Sequence, residues 1–384
     1  MKSGDRPDFS YSIIEIGGFY RFSRVRSSID RSSFLFIVSI WSFISMKNFL
    51  IKCLALFMTV APSFAAHAEP HNLRLAYVFS TTSTQHEAAQ RFAQLVEERS
   101  NKRFTVTLFP NGQLGGDEAL GRALANNTLD LSFLSQGSLS GVDALLDFYA
   151  LPYIAPTYQT ADALILRSDG VIQSTLREAL GKHNIISLAP LEIGFRGFSN
   201  SKRPVHTQED MRGIKIRVPG LANIRAFFNA LKVQNTVIPY PDLFNALQQG
   251  TVDGQEGGIN LFYPSRLFEA QKYFTSLNHV YDIATIVAGG QFWNELSPAD
   301  RALFQAIAEE VSKGQIQASR QMTSTYITKL EEAGISIVTL TDDEMKPFKA
   351  AGQKVWEQRA DVYGKERIAA LLKEVEAASA ENTK

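Results

Sequence analysis

Cysteine is nearly absent from this sequence, which contains one, Cys53, among 384 residues. A single thiol excludes a disulfide framework and any zinc site built from several cysteines. A surplus of positive charge is also missing, because 39 lysines and arginines balance 39 aspartates and glutamates. This balance argues against nucleic-acid binding, which normally relies on a basic surface. The hydrophobic share of 45% and the charged share of 20% are those of an ordinary globular protein.

Sequence motifs of catalysis and metal binding are lacking as well. No G-x-S-x-G nucleophile elbow occurs, and no glycine-rich stretch has the spacing of a nucleotide-binding loop. The histidines beyond residue 68 are scattered and never show the spacing of metal ligands: His71, His86, His183, His206 and His279. With no clustered acid–base pair either, we expect a protein that is not an enzyme, has no cofactor and has no metal site built from these histidines.

Residues 46–68 have the three parts of a secretory signal peptide. Lys47 and Lys52 supply positive charge, residues 53–60 form an apolar stretch, and Ala66-His67-Ala68 supplies an A-x-A cleavage site. The apolar stretch is too short to span a bilayer. We therefore predict export with cleavage of this segment. A buried helix at the start of a domain is the alternative interpretation.

Residues 1–45 are interpreted as an upstream extension that results from a misassigned start, with translation beginning at Met46. A second apolar run at residues 34–44 leaves a signal anchor as the competing interpretation. N-terminal sequencing of the exported protein separates the two, because an anchor would retain that run. Residues 1–68 contain eight of the basic and four of the acidic residues, so the remaining chain has a net charge of −4 and no cysteine.

Strand and helix patterns alternate along the first part of the remaining chain. Residues 73–79 and 104–108 alternate between apolar and polar positions, as strands do, and residues 129–134 form a third apolar run. Helical spacing separates these runs in residues 84–96 and 119–124. The order strand, helix, strand, helix, strand predicts a mainly parallel sheet that is covered on both faces.

The same kind of pattern continues towards the C-terminus. Strands are predicted at 185–188, 214–218 and 236–238, short helices at 221–231 and 241–249, and long helices at 303–330 and 342–363, the last interrupted near Pro347. Long helices at the end of such a chain suggest a brace across two α/β lobes.

Arg217 is the strongest candidate for a binding residue. If Ile214, Ile216 and Val218 face the core, alternation sends Lys215 and Arg217 to the opposite face of the strand. At the carboxyl edge of a strand this face borders the crevice where open α/β sheets bind ligands. An arginine there offers two parallel donors to a carboxylate. A solvated or salt-bridged arginine is the alternative.

Six blocks of sequence then allow a comparison with a known family. They read HEAAQRFAQLVEE (86–98), FPNGQLGGDEAL (109–120), LPYIAP (151–156), FRGFSNSKRPV (195–205), GIKIRVPG (213–220) and ALQQGTVDGQEG (246–257). In order and spacing these blocks resemble the substrate-binding proteins of tripartite ATP-independent periplasmic (TRAP) transporters, of the C4-dicarboxylate-binding type. The resemblance covers nearly all of residues 73–378.

The resemblance implies an α/β protein of two lobes, the fold of periplasmic binding proteins, with a ligand cleft between the lobes and a long spanning helix. We expect residues 69–193 plus 283–322 to form lobe I, and residues 194–282 plus 323–384 to form lobe II with the spanning helices. The implied function is capture of an organic acid in the periplasm and delivery to the small and large permease subunits, driven by an ion gradient. We expect a monomer.

The resemblance also assigns roles to four residues. Arg217 matches the arginine that clamps the ligand carboxylate in such proteins, and Arg196 matches a second arginine that often assists it. Tyr240 falls where an aromatic wall residue is usual. Asp117 matches a position that reaches the pocket in some members.

Several positions depart from the family pattern. Gly257 and Gly258 stand where the family commonly has asparagine and proline, and Gly220 stands where sialic-acid binders have asparagine. Val78 and Ser135 replace a polar and an acidic residue. Because polyhydroxylated ligands lose hydrogen-bond partners at these positions, we expect an organic acid with few hydroxyls, and with an apolar or aromatic tail. The alternative is a dicarboxylate, with glycines that merely reshape loops.

Two other functions are alternatives. A solute-binding protein that serves a sensor kinase would differ in its neighbouring genes, which would lack the permease subunits. An exported lyase or hydrolase would need positioned acid–base groups, and the sequence offers no clustered pair.

Overall fold

The structure is a computed structural model that describes residues 71–381, so the predicted extension (1–45) and signal peptide (46–68) lie outside the described residues. Within this range the strands are β1 (His71–Tyr77), β2 (Phe104–Phe109), β3 (Leu131–Leu134), β4 (Ile185–Asn200), β5 (Ile216–Val218), β6 (Asn235–Val237), β7 (Gly254–Gly258), β8 (Tyr273–Ser276), β9 (Tyr281–Gly289) and β10 (Ser336–Thr339). The helices are α1 (Thr84–Arg99), α2 (Asp117–Ala125), α3 (Tyr158–Ala161), α4 (Val171–Lys182), α5 (Ala222–Ala230), α6 (Leu243–Gln248), α7 (Ile259–Phe262), α8 (Gly290–Glu295), α9 (Pro298–Glu332), α10 (Asp342–Tyr363) and α11 (Lys365–Glu381).

The strands form one mixed sheet whose main path has the order β2-β1-β3-β9-β4-β7-β5-β6, while β8 pairs with β4 and β10 pairs with β8. β1 is parallel to β2 and β3, and β5 is parallel to β6 and β7. Between these parallel parts, β9 and β4 run antiparallel to their neighbours. The predicted mainly parallel sheet is therefore correct for β1 to β3, whereas the centre of the sheet is antiparallel.

β4 is the strand that joins the two parts of the sheet. Residues 185–195 pair with β9, and residues 196–200 pair with β7 and β8. The register shifts between Glu192 and Gly194, where Gly194 has a φ of +101° that only glycine adopts without strain. One lobe is built around β1 to β3 and the other around β5 to β7, and β4 crosses between them.

Buried side chains of the described residues form three cores, and α9 connects two of them. Phe304 and Ile307, near the start of α9, pack with α1 and β1 to β3. Tyr326 and Leu330, near its end, pack with α6, α7 and β8. A further core lies among β5, α5, α10 and α11. The predicted α/β fold of two lobes with a long spanning helix is thereby confirmed.

Capping explains where the long helices begin. The Ser297 side chain accepts a hydrogen bond from the Asp300 amide at 3.1 Å, with Pro298 at the first position of α9. Thr341 and Glu344 form a capping box at the start of α10. The predicted interruption near Pro347 is wrong, because this proline lies early in α10 and removes one backbone hydrogen bond while the helix continues.

Within residues 71–381, no helix combines the length and the apolar character that crossing a membrane requires.

Candidate functional site

A buried cavity with a volume of about 30 Å³ lies where the two lobes meet. Its walls include every residue that the sequence singled out for the site: Val78, Asp117, Ser135, Arg196, Arg217, Tyr240 and Gly257. The chain order explains this convergence. Val78 and Ser135 directly follow β1 and β3, Asp117 begins α2, and Arg196, Arg217 and Gly257 lie in β4, β5 and β7. The cavity therefore occupies the carboxyl edge of the parallel strands, as expected for an α/β fold.

Arg217 is held in one orientation and keeps free donors towards the cavity. Its side chain is buried, and its Nε donates to the Ile238 carbonyl at 2.8 Å. The guanidinium lies 5.7 Å from the centroid of the Tyr240 ring, within cation–π distance. Among the described residues, Nη1 and Nη2 of Arg217 have no hydrogen-bond partner and no carboxylate within ion-pair distance. Burial, followed by the charge of Arg196, lowers the pKa of Arg217 to about 10, so it stays a cation at neutral pH.

Arg196 is committed to carboxylates of the protein itself. It donates from Nε and Nη2 to the Glu256 carboxylate, from Nη2 to the Glu256 carbonyl, and from Nη1 to the Asp282 carboxylate. These bonds occupy four of its five N–H groups. Burial alone would lower the pKa of Arg196, but the two carboxylates raise it. One N–H of Nη1 is left for any further acceptor.

The two carboxylates that hold Arg196 are fully buried and differently stabilised. Burial would raise the pKa of Glu256, but the charge and hydrogen bonds of Arg196 lower it to about 2. Burial raises the pKa of Asp282, which accepts from the Tyr149 hydroxyl at 2.8 Å and from the Ile283 amide at 3.0 Å. Glu256 is therefore a fixed anion, and Asp282 is the group of this pair that takes up a proton more readily.

Asp117 presents a carboxyl group to the cavity from the first turn of α2. Its Oδ1 accepts a hydrogen bond from the Ser135 amide at 2.9 Å. In the described part of the chain, Oδ2 has no hydrogen-bond partner. Burial raises the pKa of Asp117 to about 7, so the carboxyl titrates near neutral pH. Its protonation state can thus respond to the charge of a bound ligand.

Aromatic and aliphatic side chains complete the walls. Val78, Phe79, Ile193 and Leu261 are buried around the cavity. The half-buried Tyr240 donates from its hydroxyl to Ser265 Oγ at 2.8 Å, which fixes its ring beside Arg217. The cavity consequently has an apolar side in addition to its charged groups.

A backbone contact explains one of the glycines that depart from the family pattern. A Cβ at Gly220 would lie 2.8 Å from the Ser138 carbonyl oxygen, a backbone atom. A Cβ at Gly257 would lie 2.8 Å from Gln255 Oε1, so the Gln255 side chain occupies the space that a longer residue at 257 would need. Gln255 is buried, lines the cavity and donates from Nε2 to Ser199 Oγ at 3.1 Å.

Loops from both lobes meet around the cavity. Ser140 Oγ donates to the Gly220 carbonyl at 2.8 Å and accepts from the Ala222 amide at 3.1 Å. On another side, Thr82 Oγ1 donates to the Pro264 carbonyl at 3.1 Å. These contacts join segments that are distant in sequence.

Sequence reasoning missed four polar residues of the cavity: Ser138, Gln255, Glu256 and Asp282. A signal for three of them was available. Gln255 and Glu256 belong to the block ALQQGTVDGQEG, and Asp282 is a single acid at the start of an otherwise apolar strand. A buried acid of this kind requires a cation or several hydrogen-bond donors as its partners.

The part of the chain that the structure describes holds no group of three or more histidine, cysteine, aspartate or glutamate side chains suited to a metal ion. The features that are present are two α/β lobes, a cavity between them and a buried guanidinium with free donors. Together they define a solute-binding protein with a site for an anion.

Comparison with known proteins gives the family. The profile of bacterial extracellular solute-binding proteins, family 7, matches residues 75–361, and the chain belongs to this family. A solved TRAP periplasmic solute-binding protein from a Polaromonas species, bound to D-erythronate, is 29% identical with a TM-score of 0.73 and covers 78% of this chain and 98% of its own. The predicted membership of the TRAP solute-binding proteins is thereby confirmed.

Two further relatives show the range of ligands among similar proteins. The sugar-acid-binding protein of Advenella mimigardefordensis, solved with galactonate, is 27% identical with a TM-score of 0.77, and covers 81% of this chain and 99% of its own. The C4-dicarboxylate-binding periplasmic protein of Shewanella loihica is 25% identical over 84% of this chain and 95% of its own length.

Proposed function

We propose that this protein captures an organic acid in the cavity between its lobes and delivers it to a TRAP-type permease with a small and a large membrane subunit. Family membership supports transport, and the organic acids named for related proteins support the ligand class. No catalytic step is needed for this function. In this proposal residues 46–68 direct export to the periplasm and are then cleaved, and the mature protein acts as a monomer.

The observation that carries the proposal is the unpaired guanidinium of Arg217 inside the cavity. A buried cation without a carboxylate partner is costly, and a ligand carboxylate would supply the missing anion. Its Nη1 and Nη2 can form two parallel hydrogen bonds to one carboxylate. In the same proposal Arg196 adds its one remaining N–H to the ligand.

The other predicted residues receive supporting roles in the proposed site. Tyr240 and Val78 supply apolar contact to the carbon skeleton of the ligand, and Asp117 and Ser135 supply polar contact. Gly257 leaves the space that Gln255 occupies. Because these residues come from both proposed lobes, ligand binding favours the conformation in which the lobes are close together. The proposed lobes are residues 69–193 plus 283–322 and residues 194–282 plus 323–384.

Calorimetric titration of Arg217→Ala tests the proposal. A thermal-shift screen with galactonate, D-erythronate and succinate identifies an acid that binds the unmodified protein. For that acid, Arg217→Ala should weaken binding by about 2–5 kcal/mol, the usual loss when one partner of a buried charged hydrogen bond is removed. Lys215→Ala is the matched control, since Lys215 precedes the same strand and is exposed. Equal affinity of Arg217→Ala and the unmodified protein would contradict the proposal.

A further inference from the structure

The charge balance of the cavity bears on which acids it accepts, provided that the proposed carboxylate binding is correct. Two cations line the cavity, Arg196 and Arg217, and three carboxyl groups line it with them, Asp117, Glu256 and Asp282. Without a ligand the site therefore already holds three groups that can be negatively charged and two that are positively charged. A ligand with two negative charges would add to this excess.

The two arginines are not equivalent as partners for a ligand. Arg196 forms ion pairs with Glu256 and Asp282, and four of its five N–H groups are used. Arg217 has both Nη atoms free within the described residues. One carboxylate thus finds a full bidentate partner in Arg217, and a second carboxylate would find one N–H of Arg196 beside two protein carboxylates.

Two of the remaining polar groups that line the cavity are unpaired hydrogen-bond acceptors, whereas the hydroxyls of Ser135 and Ser138 can donate as well as accept. Asp117 Oδ2 and Gln255 Oε1 have no hydrogen-bond partner among residues 71–381, and both side chains are buried. A ligand hydroxyl can donate to such an atom, whereas an ionised carboxylate of the ligand has no hydrogen to donate. If an unpaired acceptor faces an anionic group of the ligand, the acceptor stays without a hydrogen bond and the two groups repel each other.

We propose that the cavity selects organic acids with one carboxylate and at least one hydroxyl over the corresponding dicarboxylates. The carboxylate lies against Arg217, and the hydroxyl donates to Asp117 or Gln255. Discrimination comes from the repulsion that a second carboxylate meets at Glu256, Asp282 and Asp117, as well as from attraction to the preferred acid.

Matched pairs of acids test this selectivity by calorimetric titration at pH 8. The pairs are succinate and 4-hydroxybutanoate, glutarate and 5-hydroxypentanoate, and malate and 3,4-dihydroxybutanoate, in which a hydroxymethyl group replaces one carboxylate. We expect at least one hydroxy acid to bind, and its paired dicarboxylate to bind about tenfold more weakly or worse. A dicarboxylate that binds as tightly as its partner, or more tightly, overturns the selectivity and leaves the carboxylate site intact.

The proposed carboxylate site has its own criterion of failure. If none of the six acids binds, or if the binding survives Arg217→Ala unchanged, the site itself is overturned and the selectivity falls with it. A preference for dicarboxylates is a different outcome, because it would contradict the selectivity but not the proposed carboxylate site.

A second variant tests the physical cause of the selectivity. Asp117→Asn removes one negative charge and keeps an oxygen that can accept from the Ser135 amide. We expect this variant to narrow the difference between the hydroxy acid and its dicarboxylate about severalfold, because repulsion is reduced. Glu97→Gln, an exposed position on α1, is the control and should leave the difference as it is. An unchanged difference in Asp117→Asn overturns charge balance as the cause.

Discussion

Replacement of Asp117 by asparagine should change how the stability of the ligand-free protein depends on pH. Burial raises the pKa of this carboxyl from its ordinary value of 3.8 to about 7 in the folded protein. The folded state therefore binds a proton more tightly than the unfolded state does. The stability that protonated Asp117 contributes is fully present below the pKa of this carboxyl in the unfolded state. It is lost as the pH rises through the pKa of the carboxyl in the folded state.

The size of the effect follows from the two pKa values. Each tenfold difference between the acid constants corresponds to about 1.4 kcal/mol, so the ionised Asp117 costs as much as about 4 kcal/mol above pH 7. Between pH 5 and pH 8.5 the cost should grow by about 3 kcal/mol. Asparagine has no charge to bury and retains the oxygen that accepts from Ser135. The variant should therefore be more stable than the unmodified protein at pH 8.5, with a smaller difference at pH 5.

Urea denaturation at both pH values measures this change, because the free energy of unfolding is obtained at each pH for both proteins. The ligand must be removed beforehand, since any bound solute would add stability of its own. Glu97→Gln gives the effect of removing an exposed carboxylate and should show nearly the same difference at the two pH values. A stability difference for Asp117→Asn that is independent of pH, or that is larger at pH 5, would refute the reasoning about burial.

Two further sets of variants test the packing of the fold. Gly254→Ala should destabilise the protein by about 2 kcal/mol or more, because its Cβ would lie 2.3 Å from the Ser199 carbonyl oxygen. Gly314→Ala in α9 is the control, and should stabilise by about 0.5–1 kcal/mol because no atom lies within 4 Å. Arg320→Met should lose about 3 kcal/mol, since it leaves the buried Glu192 carboxylate without its cation at 2.7 Å. Thermal and urea unfolding measure all three, and unchanged stability of Gly254→Ala or Arg320→Met would contradict the respective argument.

Local sequence patterns predicted the long helices more accurately than the central strand. The prediction of a helix at 303–330 agrees with α9, Pro298–Glu332, because no strong helix breaker interrupts the spacing. The prediction of a strand at 185–188 covers only the start of β4, Ile185–Asn200. Most of β4 is buried on both faces, so the alternation that marks a half-exposed strand is absent from it. Pro190 and Gly194 within it also resemble turn residues.

Arg217 illustrates what the sequence determined by itself. The alternation of Ile216, Arg217 and Val218 places the arginine on the face opposite the core residues, and Pro219 ends the strand at the edge where ligands bind. Both properties are local, because they depend on the direction of successive side chains along one strand. The face of the strand and the edge of the sheet at which Arg217 lies could therefore be predicted without knowledge of the neighbouring strands.

The tertiary structure alone decided what surrounds this arginine. Arg196 is 60 residues from Glu256 and 86 residues from Asp282 in the chain. The antiparallel register of β4 with β7 and β9 brings the three side chains into contact. The period of a strand tells which face a residue occupies, but the register between strands depends on the packing of the whole sheet. For this reason the sequence predicted two arginines in the site, and the fold determined that one of them is already neutralised.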